Sequence, residues 1–271
     1  MHLIILFALL QGFTEFIPVS SQGHLILFNN FFNINIISNI TVLEANVIAH
    51  AGSLIAVILY YRKEIFSLLI SLRHIVRPDI DKNSTLLIQL IIATFPILLC
   101  GFFFSKYFNY DDKSLLLIIG ITSISFGIVL FFLDRFCLIV KGGQEMNFLT
   151  SLCVGIFQCL ALIPGVSRSG SIIILLRFFG YNRNFAVFFS NLLSVPVIFA
   201  ATVFVIQQNQ EIFLLTEYLN LHSIGIFCFS LIFSLIFLRF LIFWVKNSSF
   251  LIFAIYRIVF GGVLIYLFFV Y

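Results

Sequence analysis

Long apolar segments alternate with short polar ones along the chain. A helix needs about 20 mostly apolar residues to cross a bilayer. Six segments have that length and character, at 41–61, 85–105, 114–134, 184–206, 222–245 and 250–270. The pattern therefore predicts six membrane-spanning helices.

Two further apolar regions are interrupted by polar residues. Residues 1–31 are broken by Pro18 and the polar run after it, and residues 147–180 are broken by LIPGVSRSGS. Each region predicts a helix, a polar turn and a second short helix. Irregular backbone at membrane depth is tolerated only where protein or water satisfies its polar groups. We therefore expect two re-entrant helical hairpins within an all-α integral membrane protein.

The composition agrees with this pattern. Of the 271 residues, 62% are hydrophobic and 10% are charged, whereas a soluble domain is about one quarter charged. This excludes a soluble globular protein and predicts a single membrane domain over 1–271. The net charge of +4 gives no indication of a nucleic-acid partner. The five cysteines form no CxxC pair and are expected to be small apolar side chains. The N-terminus lacks the features of a cleaved signal peptide, so we expect it in the mature fold.

Lysine and arginine are concentrated in some of the connecting segments. They are frequent in 62–84, 135–146 and 239–249, whereas 106–113 and 207–221 are poor in net basic charge. The positive-inside rule places the first three segments in the cytoplasm. Both chain ends then lie outside, and the two hairpins insert from opposite faces of the membrane.

This topology predicts two inverted repeats, approximately 1–146 and 147–271, each a hairpin followed by three spans. Proteins built this way place their site near the midplane, where the broken elements meet. A short internal similarity supports the repeat, because IPVSSQGH at 17–24 resembles IPGVSRSGS at 163–171.

Arg168 is the most informative residue of the second turn. An arginine at membrane depth is costly unless it meets an anionic or polar partner. One hypothesis is a structural salt bridge to Glu15 across the hairpins. The other is a phosphate clamp, since the guanidinium fork matches phosphate oxygens and a helix N-terminus suits an anion. The same turn offers further donors: Ser167, Ser169 and the backbone N–H groups around Gly165 and Gly170.

The first turn gathers Glu15, Ser21 and His24. Ser21 and His24 are of the types needed for a nucleophile and its base. Glu15 could orient the imidazole, bind a divalent cation or act as a general base. The alternative is that Ser20, Ser21 and Gln22 only cap the following short helix.

Three more ionisable side chains lie in or beside apolar segments. His50 shares a helix face with Asn46, four residues earlier, and is interpreted as a buried structural histidine. Arg177 and Arg257 lie near the ends of apolar runs and are expected to extend to the membrane surface.

The two polar turns resemble a known family. QGFTEFIPVSSQGHL at 11–25 and QCLALIPGVSRSGS at 158–171 are similar to the two signature motifs of the undecaprenyl-diphosphate phosphatase family, of the bacitracin-resistance type. HAGSLIAVILYYRKEI at 50–65 and FSNLLSVP at 189–196 also follow its pattern. The resemblance implies a multi-pass hydrolase of the bacterial plasma (inner) membrane with an active site open to the outer side. It would convert undecaprenyl diphosphate to the monophosphate and inorganic phosphate, recycle this lipid carrier for peptidoglycan and the cell wall, and confer bacitracin resistance.

The resemblance also implies roles for individual residues. Glu15, Ser21, His24 and Arg168 match the family's active-site residues. Expected substrate contacts are Gln11, Ser20, Gln22, Gly165, Ser167, Ser169 and Gly170. Activity in the family depends on a divalent cation, here Mg²⁺ or Ca²⁺, with Glu15 as the candidate ligand. This chain departs from the common family residue, an acid or a threonine, at Gln11, Asn46, Ile172 and Asn184.

The main alternative is a transporter, a flippase of polyprenyl phosphate. Inverted repeats with broken hairpins occur in secondary transporters, and a phosphate clamp would serve translocation equally well. The clustered serine, histidine and glutamate favour the hydrolase. The sequence leaves the oligomeric state open, a homodimer being one option.

Overall fold

The computed structural model of the chain describes residues 2–32, 40–76, 81–104, 112–140, 146–209 and 221–270. The regular elements in these ranges are helices. In chain order they are α1 (His2–Thr14), α2 (Ser21–Phe32), α3 (Val42–Tyr60), α4 (Arg62–Ser71), a 3₁₀ turn (Leu72–His74), α5 (Lys82–Phe104), α6 (Asp112–Phe136), α7 (Phe148–Gln158), a 3₁₀ turn (Cys159–Leu162), α8 (Arg168–Phe178), α9 (Arg183–Gln208), α10 (Leu221–Asn247) and α11 (Leu251–Val270).

The six predicted spans are confirmed as α3, α5, α6, α9, α10 and α11, which are long and apolar enough to cross a membrane. The bounds differ in two places. Helix α10 continues to Asn247, so Arg239 lies on its exposed face and not in a turn. The segment after α3 is the helix α4 and not a loop, because Leu68 and Ser71 give it a buried side.

Several of the loop charges used to orient the chain fall outside the described residues. These are Arg77, Lys106, Asp111, Lys141, Glu211 and Glu217. The inside and outside assignments therefore stay predictions.

Both interrupted regions have the predicted helix–turn–helix form. Helices α1 and α2 flank the turn at 15–20, and α7 and α8 flank the 3₁₀ turn and the residues after it. Ser167 caps α8, since its side chain accepts a hydrogen bond from the Gly170 N–H at 3.1 Å. Gly165 has a φ of +88°, which glycine adopts without steric cost. These elements are compatible with re-entrant hairpins.

The packing of the helices is reciprocal between the two halves of the chain. Helix α1 packs on α10, while its counterpart α7 packs on α5, and α6 packs on α11. Both hairpin contacts are close. A Cβ at Gly12 of α1 would lie 2.7 Å from the Phe233 Cβ, and one at Gly155 of α7 would lie 2.6 Å from the Ala93 carbonyl oxygen. Exchanging the halves reproduces these contacts, which supports the predicted repeat.

A buried ion cluster joins four helices at the end of α6. The Asp134 carboxylate accepts hydrogen bonds from Arg177 Nε at 3.2 Å, from Arg183 Nε at 2.7 Å and from the Phe250 N–H at 2.9 Å. Arg177 also donates to the Tyr181 carbonyl at 2.6 Å. The prediction that Arg177 extends to the membrane surface is wrong, because its side chain is 1% exposed and neutralised inside the protein.

Candidate active site

The two polar turns meet. The Ser169 hydroxyl donates to the carbonyl of Ile17 at 2.9 Å. Arg257 of α11 reaches both turns, donating to the carbonyl of Pro18 at 3.2 Å and to that of Gly165 at 3.1 Å. Arg257 is 1% exposed, so the prediction that it extends to the membrane surface is wrong. Its guanidinium joins the two hairpins.

Arg168 lies at the start of α8 and faces the first hairpin. Its Nη2 lies 3.4 Å from Glu15 Oε1, and its Nη1 donates to the Ser190 carbonyl of α9, also at 3.4 Å. The predicted salt bridge between Glu15 and Arg168 is therefore present. Both contacts are longer than the 2.7–2.9 Å usual for charge-assisted bonds, and the guanidinium holds its partners loosely.

The second oxygen of Glu15 contacts two other side chains. Gln11 lies one helical turn earlier, and its Nε2 donates to Glu15 Oε2 at 2.9 Å. The same Nε2 lies 2.9 Å from His50 Nδ1, and His50 Nδ1 lies 3.3 Å from Glu15 Oε2. The His50 side chain is 34% exposed, so it is not the buried structural residue that the sequence analysis assumed. Glu15 thus lies between two basic side chains, Arg168 and His50.

A cavity of about 380 Å³ opens beside this group. Its polar lining comes from both hairpins and from α3: Glu15, Ser20, Ser21, Gln22, Asn46, His50, Ser167 and Arg168. Helix α9 gives the largest share of its apolar lining, with Val197, Ile198, Ala201 and Val205, and α3 and α5 add Leu43, Val47 and Ile97. A second cavity of about 480 Å³ adjoins it and shares Ser21, Gln22, Asn46 and His50. A charged, hydroxyl-lined end and an apolar side are thus combined in one space.

His24 does not line either cavity. Its Nδ1 lies 2.6 Å from the Ser20 carbonyl oxygen, and its Nε2 lies 2.5 Å from the Tyr256 hydroxyl. The ring is stacked on Phe260 with the centroids 4.1 Å apart. Both nitrogens are therefore engaged, and the imidazole fixes the turn that carries Ser20 and Ser21. The role of His24 as the base stays a prediction.

Two predicted donors of the second turn are used by the fold, and Gly165 is enclosed by it. The Ser169 hydroxyl bonds Ile17, the Gly170 N–H is taken by the Ser167 cap, and Gly165 packs on α6 with its carbonyl bound to Arg257. None of the three lines the cavity. Gln11 is also behind the lining, fully buried, and reaches the cavity through Glu15 and His50. Ser167 Oγ lies 3.0 Å from Ser169 Oγ and donates to it, because the Ser169 hydrogen is used on Ile17. Arg168 remains as the side-chain donor of this turn.

The side chains of the cavity lining could hold a divalent cation only if a bound substrate provided further oxygen atoms. Among the described residues no group of three His, Cys, Asp or Glu side chains is close enough to hold a metal. Glu15 is the carboxylate of the cavity lining. Mg²⁺ is usually bound through one or two carboxylates together with substrate phosphates. Glu15 therefore fits such an ion when a bound diphosphate provides further oxygens.

Known proteins are similar in sequence to this chain over most or nearly all of its length. The sequence model of the family described as "Bacitracin resistance protein BacA" matches residues 4–263. A protein named undecaprenyl-diphosphatase from Pelagibacter ubique (strain HTCC1062) is 35% identical, over 96% of this chain and 95% of the relative. A protein of the same name from Aliivibrio salmonicida (strain LFI1238) is 39% identical over 70% of each chain. Another from Jannaschia sp. (strain CCS1) is 33% identical over 97% of this chain and 96% of the relative.

Proposed function

The chain belongs to the bacitracin resistance protein BacA family, and we propose that it hydrolyses undecaprenyl diphosphate to undecaprenyl phosphate and inorganic phosphate. The observation that carries the proposal is the Arg168–Glu15 pair at the polar end of a cavity with an apolar wall. A diphosphate lipid needs both features, one for its charged head and one for its chain. Recycling of the lipid carrier for peptidoglycan and resistance to bacitracin would follow from this activity.

Arg168 is the proposed clamp for the terminal phosphoryl group. Its guanidinium is 13% exposed beside the cavity and holds Glu15 and the Ser190 carbonyl at 3.4 Å. A phosphate offers the same fork closer, charge-assisted bonds. Ser20, Ser21 and Ser167 line the same space, and the hydroxyls of Ser20 and Ser21 add neutral donors.

The prenyl chain would leave the cavity between α5 and α9. The residues of that wall are apolar except for Thr202, from Ile97 on α5 to Val205 near the end of α9. A prenyl chain is as apolar in the bilayer as against this wall, so the wall accommodates the chain through van der Waals packing and adds no hydrophobic driving force. The head is then held at the polar end while the chain continues toward lipid.

Hydrolysis breaks the bond between the terminal phosphorus and the bridging oxygen. The bridging oxygen leaves with the lipid monophosphate. Either water forms the new bond to phosphorus directly, or Ser21 forms it first and water then breaks the phosphoserine bond, which releases inorganic phosphate and restores the hydroxyl. The proton of the attacking O–H passes to water or to a phosphate oxygen. Phosphoryl transfer depends mainly on in-line positioning and on neutralised charge, which Arg168 provides. A cation held by Glu15 and the diphosphate would neutralise further charge when bound. His24 keeps the Ser20–Ser21 turn in place through its bond to the Ser20 carbonyl.

We further propose that the site opens to the outer side of the bacterial plasma membrane. Leu43 near the start of α3, Leu115 near the start of α6 and Val205 near the end of α9 line the two cavities. Loop charges assign these helix ends to the outside. One chain contributes both hairpins to the site, so the chemistry needs no second copy, and a homodimer stays a prediction.

The test is phosphate release from undecaprenyl diphosphate by the purified protein in detergent. Arg168→Ala should lower turnover by about 10²–10³-fold, the usual loss for one preorganised charge-stabilising donor. Arg62→Ala, on the exposed side of α4, is the matched control and should keep wild-type turnover. A melting temperature close to that of the wild type would show that Arg168→Ala is folded.

Two results would contradict the proposal. Normal phosphate release by folded Arg168→Ala would remove the clamp. Failure of the wild-type protein to release phosphate, combined with translocation of a labelled polyprenyl phosphate across vesicles, would favour the transporter.

A further inference from the structure

His50 is the ionisable residue of the cavity lining that the proposed mechanism has not used. It lies on α3 and lines both adjoining cavities. Its side chain is 34% exposed, against 6% for Glu15 and 13% for Arg168. Of the three ionisable groups that meet here, it is therefore the most accessible to a ligand.

The ring of His50 is oriented from one side. Nδ1 is directed to the first hairpin, 2.9 Å from Gln11 Nε2 and 3.3 Å from Glu15 Oε2. The other ring nitrogen, Nε2, has no hydrogen-bond partner within the described part of the chain. Because the two nitrogens lie on opposite edges of the ring, fixing Nδ1 on the protein leaves Nε2 for the cavity.

The contact of Nδ1 with the Gln11 amide, a donor, favours a ring proton on Nε2. The Gln11 amide has two hydrogens, and its distances leave one for Glu15 and one for His50. When the ring is neutral, Nδ1 accepts from Gln11 and the ring proton is on Nε2. When the ring is charged, its Nδ1–H faces the Glu15 carboxylate and both nitrogens are protonated. In both states the cavity receives an N–H donor.

We propose that His50 is a second phosphate-binding residue, which donates Nε2–H to a diphosphate oxygen opposite Arg168. The inference rests on the proposed function and adds the residue that holds the other side of the head group. Arg168 contacts Oε1 of the Glu15 carboxylate, and His50 contacts Oε2. A diphosphate has two phosphoryl groups and more than one negative charge, and two donors on either side of one carboxylate suit it better than a single clamp.

The test compares His50→Gln with His50→Leu in the full-length protein in detergent. The Gln amide extends as far as Nε2 of the imidazole and keeps an N–H donor, whereas Leu keeps the bulk without a donor. We expect His50→Leu to lower kcat/KM by about 10–100-fold, the loss of one hydrogen bond to a charged group. His50→Gln should stay within about threefold of the wild type. His74→Leu, in the 3₁₀ turn outside both cavities, is the matched control and should be unchanged.

A second measurement separates this inference from the proposed activity. Binding of inorganic pyrophosphate to the purified protein needs no turnover, and it should weaken about tenfold or more in His50→Leu but not in His50→Gln. If the wild type binds pyrophosphate in this His50-dependent way but releases no phosphate from the lipid, the proposed hydrolysis fails and the binding site stands. Wild-type affinity in His50→Leu overturns the inference. Equal losses in both variants also overturn it, because the donor would then not be the property that matters.

Discussion

Replacing Arg257 is the most direct way to test whether the two hairpins must stay joined. Its guanidinium donates to the Pro18 carbonyl in the first turn and to the Gly165 carbonyl in the second, and also to the Ser123 carbonyl of α6 at 3.3 Å. The residue is 1% exposed. Arg257→Met keeps much of the apolar volume and removes all of the donors.

The size of the effect follows from the carbonyls that would be left. Pro18 and Gly165 lie in turns and would each lose this donor, whereas Ser123 lies inside a helix whose carbonyls bond along its axis. A buried polar group without its partner costs about 1–3 kcal/mol. Two such groups would lower the free energy of unfolding by roughly 2–6 kcal/mol. The loss is smaller in practice, because the variant no longer has to bury a desolvated cation. We expect a net loss of about 3 kcal/mol, or roughly 6–12 °C in melting temperature.

The assay is thermal unfolding in detergent together with phosphate release below the melting transition. Arg257→Met should melt lower and, at a temperature where it is folded, should hydrolyse the lipid more slowly because Arg168 and Ser21 are no longer held at a fixed separation. Arg239→Met, on the exposed face of α10, is the control. A variant at Arg257 with the melting temperature and turnover of the wild type would refute the idea that this guanidinium joins the hairpins.

Two further variants test the fold around the site. Asp134→Asn removes the anion shared by Arg177 and Arg183. It should destabilise the protein by about 3–5 kcal/mol, as breaking a buried pair usually does. The effect is measured as a lower melting temperature and a lower yield of folded protein, and an unchanged melting curve would contradict it. Gly165→Ala should lower turnover at least about tenfold. The position has a φ of +88°, and a Cβ there would lie 2.7 Å from the Ile119 Cα, so the substitution strains the turn. Gly262→Ala, whose added Cβ would have nothing within 4 Å, should keep wild-type turnover.

The sequence predicted the elements that depend on local pattern. The six spans follow from runs of apolar residues, and both hairpins follow from polar turns that interrupt such runs. The pairing of Glu15 with Arg168 was also predictable, because two opposite charges at membrane depth each require a partner. These inferences use only the composition of a segment or the high cost of an isolated charge.

The contacts that complete the site could not be predicted in the same way. Arg257 is 239 residues from Pro18 and 92 from Gly165, and its position near the end of an apolar run is equally typical of a residue that reaches the membrane surface. His24 and Tyr256 meet across 232 residues, so nothing near His24 in sequence indicated that both of its nitrogens would be engaged. One indication about His50 was available in the sequence, its position on the same helix face as Asn46. Its contacts, Gln11 and Glu15, lie on the first hairpin and could not be predicted from that face.

The carboxylate of Glu15 explains why these basic groups are tolerated in the cavity and why the cavity selects for an anion. Without ligand, Glu15 neutralises Arg168 at one oxygen and contacts His50 at the other, which lowers the cost of holding a guanidinium at membrane depth. A diphosphate must compete with this carboxylate for Arg168, and it can do so because the existing contact is long and the phosphate offers more charge and better-placed oxygens. A neutral or zwitterionic lipid head offers no comparable gain. The same pair therefore favours a strongly anionic head group over neutral and zwitterionic lipid heads.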